Sequence, residues 1–115
     1  MVWNPVQARS QLNKSKLICL IDERDKLSAF KTNSGRELAL IEENKTKVSI
    51  YLSRVPYHMP DVVLDNRYEP NGTKMGRHSN LALITKTLGF EYAAFKVHVK
   101  SEVALDRLLN WYQYA

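Results

Sequence analysis

Between Phe90 and Gln113 the apolar residues change their spacing once, and the change falls at Ser101. Phe95, Val97 and Val99 alternate with Lys96, His98 and Lys100, the pattern of a strand with one face buried. After Ser101, Leu105, Leu108, Leu109 and Tyr112 recur at helical spacing; Ser101 suits the N-cap and Glu102 complements the positive helix start. A half-buried strand running into an amphipathic helix has one economical solution, in which the helix packs on the sheet. The class predicted is α+β.

The preceding sequence supplies the rest of that sheet. Val48, Ile50 and Leu52 alternate with Ser49, Tyr51 and Ser53. Leu27 to Lys31 and the stretch "RELALIEE" read as two further strands, joined through Asn33-Ser34-Gly35, a turn in which Gly accepts positive φ. The apolar run from Leu17 to Ile21 has strand length, although it also fits a continuation of the helix before it. Asn4 followed by Pro5 marks that helix start. The expectation is a single domain over residues 1–115: a mainly antiparallel sheet of about four or five strands, N-terminal and C-terminal helices, and a long loop before a short helix.

The long loop runs from Ser53 to Asn80, where Pro56, Pro60, Pro70, Gly72 and Gly76 interrupt any period and "MPDVVLD" offers one short strand. Ser79 or Asn80 then caps a helix from Leu81 to Leu88, with Gly89 as its stop. Unstructured stretches of this length inside a domain are uncommon and often functional.

A composition of 44% hydrophobic and 25% charged residues is that of a folded chain, and 115 residues suffice for one core. Cys19 has no partner for a disulfide, and its apolar neighbours predict a small buried side chain. No apolar segment approaches the ~20 residues of a membrane span and no signal-peptide pattern opens the sequence, so a cytoplasmic protein without membrane contact is expected.

The net charge of +5 is unevenly placed. Residues 71–100 carry Lys74, Arg77, Lys86, Lys96 and Lys100 against Glu91 alone, which favours an acidic partner. The segment "RYEPNGTKMGRHSNL" sets Arg67, Lys74, Arg77 and His78 beside two glycines and a candidate helix start, the elements of an anion site. It fits neither the P-loop nor the dinucleotide fingerprint. Lys96, His98 and Lys100 form a second basic group on one strand face.

Together these predict a nucleic-acid-binding module, DNA ahead of RNA. Arg67, Lys74, Arg77, Lys96 and Lys100, joined by His98, would meet phosphates, while Tyr68, His78 and Asn80 would make more specific contacts. One alternative is a protein-interaction or regulatory accessory domain. A second is a small metal-dependent nuclease using Asp25, Glu43 and Lys45, although Glu43 and Lys45 fall in a predicted turn. His58, His78, His98 and Cys19 lack metal-ligand spacing, and no nucleophile motif occurs, so no cofactor or metal is expected and binding is favoured over catalysis.

Overall fold

The structure is a computed structural model and describes residues 3–24, 26–72 and 77–115. Its strands are β1 (Ile18–Arg24), β2 (Leu27–Thr32), β3 (Glu37–Ile41), β4 (Ser49–Leu52), β5 (Val62–Tyr68) and β6 (Ala94–Val99). Its helices are α1 (Pro5–Lys14), α2 (Leu81–Ile84) and α3 (Glu102–Tyr112). All six strands join one antiparallel sheet in the order β1-β2-β3-β4-β6-β5. The sheet exceeds the expected strand number because 62–68, a fragment in the sequence reading, is a full edge strand.

Both faces of the middle of the sheet are covered. On one face Phe30, Leu38, Leu40, Ile50, Leu52, Val97 and Val99 meet Ala8 and Leu12 of α1 and the apolar stripe of α3. On the other, Leu27, Ala29, Ala39, Ile41, Tyr51, Tyr68 and Ala94 meet Leu81, Ile84 and Leu88 from the segment around α2. Each fully buried leucine contributes about 1.5–3 kcal/mol. Every residue of β3 and β4 is therefore buried, including Tyr51, which alternation alone places on a polar face.

The helix ends follow the sequence signals. Asn4 Oδ1 accepts from the Gln7 amide at 3.0 Å, and Ser101 Oγ accepts from the Ala104 amide at 3.1 Å. Trp3 anchors the start of the chain by donating its indole N–H to the Val99 carbonyl at 2.8 Å. The 33–35 turn forms as its residues predict, with Gly35 at φ +93°.

Residues 53–61 are a crossover between strands. β4 and β5 both pair antiparallel with β6, which lies between them, so they run parallel and the connection must return across the sheet. It does so on the α1/α3 face, where Val55 and Met59 pack on the core and Tyr112 Oη lies 2.8 Å from both the amide and the hydroxyl of Ser53.

The helix expected over 81–88 ends after one turn at Ile84. Thr85 turns its hydroxyl back to the Leu81 carbonyl at 2.6 Å. Beyond it the buried Glu37 carboxylate accepts the Lys86 amide at 2.9 Å, the Thr87 amide at 2.7 Å and the Thr87 hydroxyl at 2.6 Å. Those amides serve Glu37 in place of a helix ladder. Gly89 then passes so close to Ala82 that a Cβ on it would stand 2.8 Å from the Ala82 Cβ.

The edge strand β1 corrects the expectation for Cys19, which is exposed. Only Ile18 of that strand is buried, because the sheet ends there and a bulge between Leu20 and Asp22 turns the strand aside. Among the described residues no helix is long and apolar enough to cross a membrane.

Candidate functional site

The outward side of β6 sits where the α2 segment stops covering the sheet. Lys96 pairs with Tyr51 of β4 and Asn66 of β5, and His98 pairs with Ser49 and Val63. Next to them lies an open cleft of about 390 Å³. Ile41, Ser49, Tyr51 and Lys96 contribute from the sheet, Glu43, Asn44 and Lys47 from the turn between β3 and β4, Asp65 from β5, and Arg77 and His78 from the segment before α2. The loop and the basic strand thus share a face at Arg77, His78 and Lys96.

Arg77 is bound into the fold. Its guanidinium donates to the Gly89 carbonyl, to the Tyr92 carbonyl at 2.9 Å and, weakly, to the Glu69 carbonyl at 3.4 Å. It also lies 5.0 Å over the Tyr68 ring. Burial pushes it below the usual arginine range, and its Nε is buried without an acceptor. This geometry ties together the turns on either side of the α2 segment and leaves Arg77 little freedom to follow a ligand.

The same strand face carries a hydrogen-bonded line of polar groups. Asn66 Nδ2 donates to Tyr68 Oη at 3.2 Å; the Tyr68 and Tyr51 rings lie 6.1 Å apart; the His78 amide donates to Tyr51 Oη at 3.0 Å. Burial pushes the Tyr51 hydroxyl well above the usual tyrosine range, so it stays neutral. Tyr68 is only 3% exposed, which puts it beneath the surface rather than on it as a stacking platform. The Asn80 amide donates to His78 Nδ1 at 3.2 Å, which turns Nε2 toward Glu43 Oε1, 3.8 Å away. Asn80 makes no side-chain cap on α2.

Charge in the cleft is mixed. Lys47 Nζ and Asp65 Oδ2 pair at 2.7 Å. His98 is held below its usual range by burial and then by Lys47, with Asp65 opposing and Lys100 adding to the fall. Lys100 is exposed just past β6, its amide bound to the Asp61 carbonyl at 2.9 Å.

Of the other residues expected here, Arg67 pairs with Phe95, on the α1/α3 side of the sheet, and its guanidinium lies 5.5 Å from that ring. It therefore points away from Lys96 and His98. Lys74 and Asp25 lie outside the described residues. Glu43 and Lys45 sit in the β3–β4 turn, and among the described residues no three His, Cys, Asp or Glu side chains group as metal ligands. Lys47, Asn44, Ser49 and Asp65 enter the site without having been expected. For Lys47 and Ser49 a signal existed, since they alternate with Val48, Ile50 and Leu52 and so share the Tyr51 side.

A larger groove of about 590 Å³ separates α1 from α3; there Gln11 Nε2 bridges the Glu102 carbonyl at 3.0 Å and Asp106 Oδ1 at 2.9 Å, and Gln11 Oε1 is buried with no donor among the described residues. The sheet-face cleft holds the greater variety of uncommitted chemistry. Compared with known proteins, the chain matches no family model, no curated protein and no solved structure.

Proposed function

We propose that the protein is a nucleic-acid-binding module whose phosphate contacts come from Lys96 and Lys100, with His98 among them. The observation that supports this reading is that Lys96, on the basic face of β6, meets Arg77 and His78 around one open cleft. Lysines on a rigid sheet neutralise phosphates with little loss of backbone freedom, and release of counterions makes the resulting affinity strongly dependent on salt. DNA is the favoured target. Arg77 supports the site from beneath, and Arg67 belongs to the opposite face.

The test is fluorescence anisotropy of labelled duplex and single-stranded DNA and RNA at several salt concentrations. With two phosphates neutralised, log affinity falls against log salt with a slope of about −2. Lys96→Glu combined with Lys100→Glu should weaken binding severely, while Lys45→Glu changes it little. Absence of binding to all four probes at low salt refutes the proposal.

The exposed Leu20 and Ile21 on the edge strand β1 favour a second reading, a protein-interaction module that accepts a partner strand. Association with a protein that survives nuclease treatment and is lost in Leu20→Glu supports it.

A further inference from the structure

The cleft contains two carboxylates that a surface built for phosphates alone has no use for. Asp65 is neutralised by Lys47 at 2.7 Å, whereas the Glu43 carboxylate faces His78 Nε2 at 3.8 Å, beyond hydrogen-bonding distance. The Glu43 side chain is 53% exposed at the cleft edge, beside Asn44. A free carboxylate repels phosphate oxygens and accepts hydrogen bonds from amino groups. The groups on a nucleic acid that satisfy it are the exocyclic amines of the bases.

Size and lining agree with one base. A volume of about 390 Å³ lies near the small end of ligand sites, which run from about 300 to 1,000 Å³. Ile41 supplies an apolar contact and the His78 imidazole a flat one, while Asn44 carries both a donor and an acceptor. Lys96 stands in the same cleft, where it can hold a phosphate beside a base turned out of its stack.

We propose that this cleft receives a single unstacked base that carries an exocyclic amine, cytosine, adenine or guanine, with Glu43 accepting from that amine. The proposal rests on the nucleic-acid reading above and adds a ligand to it. Thymine and uracil present a carbonyl oxygen where cytosine presents the amine, so Glu43 repels them. A base already unpaired costs less to turn out than one in a regular duplex.

The experiment uses the full chain and three duplexes that differ at one central position: fully paired, one unpaired cytosine, and one unpaired thymine. Anisotropy titrations should give about tenfold tighter binding to the unpaired-cytosine duplex than to either of the others. In Glu43→Gln the ratio of cytosine to thymine affinities should fall to about one, because the amide can donate to thymine as well as accept from cytosine. That ratio is internal to each protein preparation, Glu43 occupies an exposed turn, and a thermal melt verifies that the variant is folded. Equal affinity for all three duplexes overturns the base pocket and leaves nucleic-acid binding standing; a cytosine preference that survives Glu43→Gln overturns it too. Failure to bind any duplex removes the base pocket, and the nucleic-acid reading falls with it when single-stranded DNA and RNA also fail to bind at low salt.

Discussion

Arg77 is the residue at which a stability measurement separates a brace from a ligand contact. Truncation to alanine removes a charged donor from the buried Gly89 carbonyl and the Tyr92 carbonyl, and the contact with the Tyr68 ring. A net charged hydrogen bond to a carbonyl left behind is worth about 1.5–3 kcal/mol when buried and less when water can replace it. The ring contact adds about 0.5–1 kcal/mol. The desolvation of the guanidinium and its unpartnered Nε work in the opposite direction. The balance is a loss of about 2–3 kcal/mol. At about 4 °C or more for each kcal/mol, the midpoint of thermal unfolding should fall by about 10 °C. Urea unfolding followed by tryptophan fluorescence measures this directly, with an unchanged m-value showing that the same surface unfolds. Arg77→Lys should recover less than half, since one ammonium cannot span the Gly89 and Tyr92 carbonyls as a planar fork does. A loss under about 1 kcal/mol, coupled with a fall in nucleic-acid affinity as large as that of Lys96→Ala, refutes the bracing role.

Two further outcomes follow from the packing and the charges. Gly89→Ala drives a methyl group against Ala82 and should cost about 1–3 kcal/mol in urea unfolding, with Ala82→Gly in the same chain restoring part of it; an unaffected midpoint contradicts the close approach. His98 is held below its ordinary value near 6.5, so on acidification the unfolded chain takes up that proton first. Its contribution to stability is complete above about pH 6.5 and is lost as pH falls through the lower folded value. The urea midpoint should therefore drop less between about pH 7 and pH 5 in His98→Asn than in the parent, and equal drops count against the assignment.

β6 and α3 were legible in the sequence because each meets water on one side and core on the other, which produces a clean period. β3 and β4 gave weaker evidence of their surroundings. Tyr51 alternates with apolar residues like an exposed side chain, yet the segment covering it contains only one helical turn and offers no amphipathic pattern of its own. The end of β5 was hidden for a different reason: an edge strand with a bulge between Leu64 and Asn66 tolerates the polar run Asp65-Asn66-Arg67, which reads as loop. Cys19 shows the limit of apolar neighbours as a guide to burial, since an edge strand can be apolar and uncovered.

The site divides in the same way. Periodicity placed Lys96 and His98 on one side of β6, while Lys100, grouped with them, lies just past the strand's end. It also allowed Arg67 to be grouped with them, because the face of a strand not read as a strand is undefined. Arg77 was selected for its charge, but its partners are backbone carbonyls, which no residue-type pattern reveals. Glu37 went unnoticed for the same reason: its hydrogen bonds reach amides about fifty residues away.

The position of β6 in the sheet has a consequence for how the domain assembles. β4 and β5 never touch as paired strands; β4 is already paired with β3, whereas β5, among the described residues, pairs only with residues 94–99, which follow both in the chain. The first four strands can associate as they emerge from a ribosome, but β5 must wait, with its backbone groups solvated, until a later strand slides in between. The parallel arrangement of β4 and β5 makes that arrival an insertion rather than an addition at an edge. Folding of the candidate site is then a late event, since Lys96 and His98 belong to the inserted strand and the cleft has no floor before it.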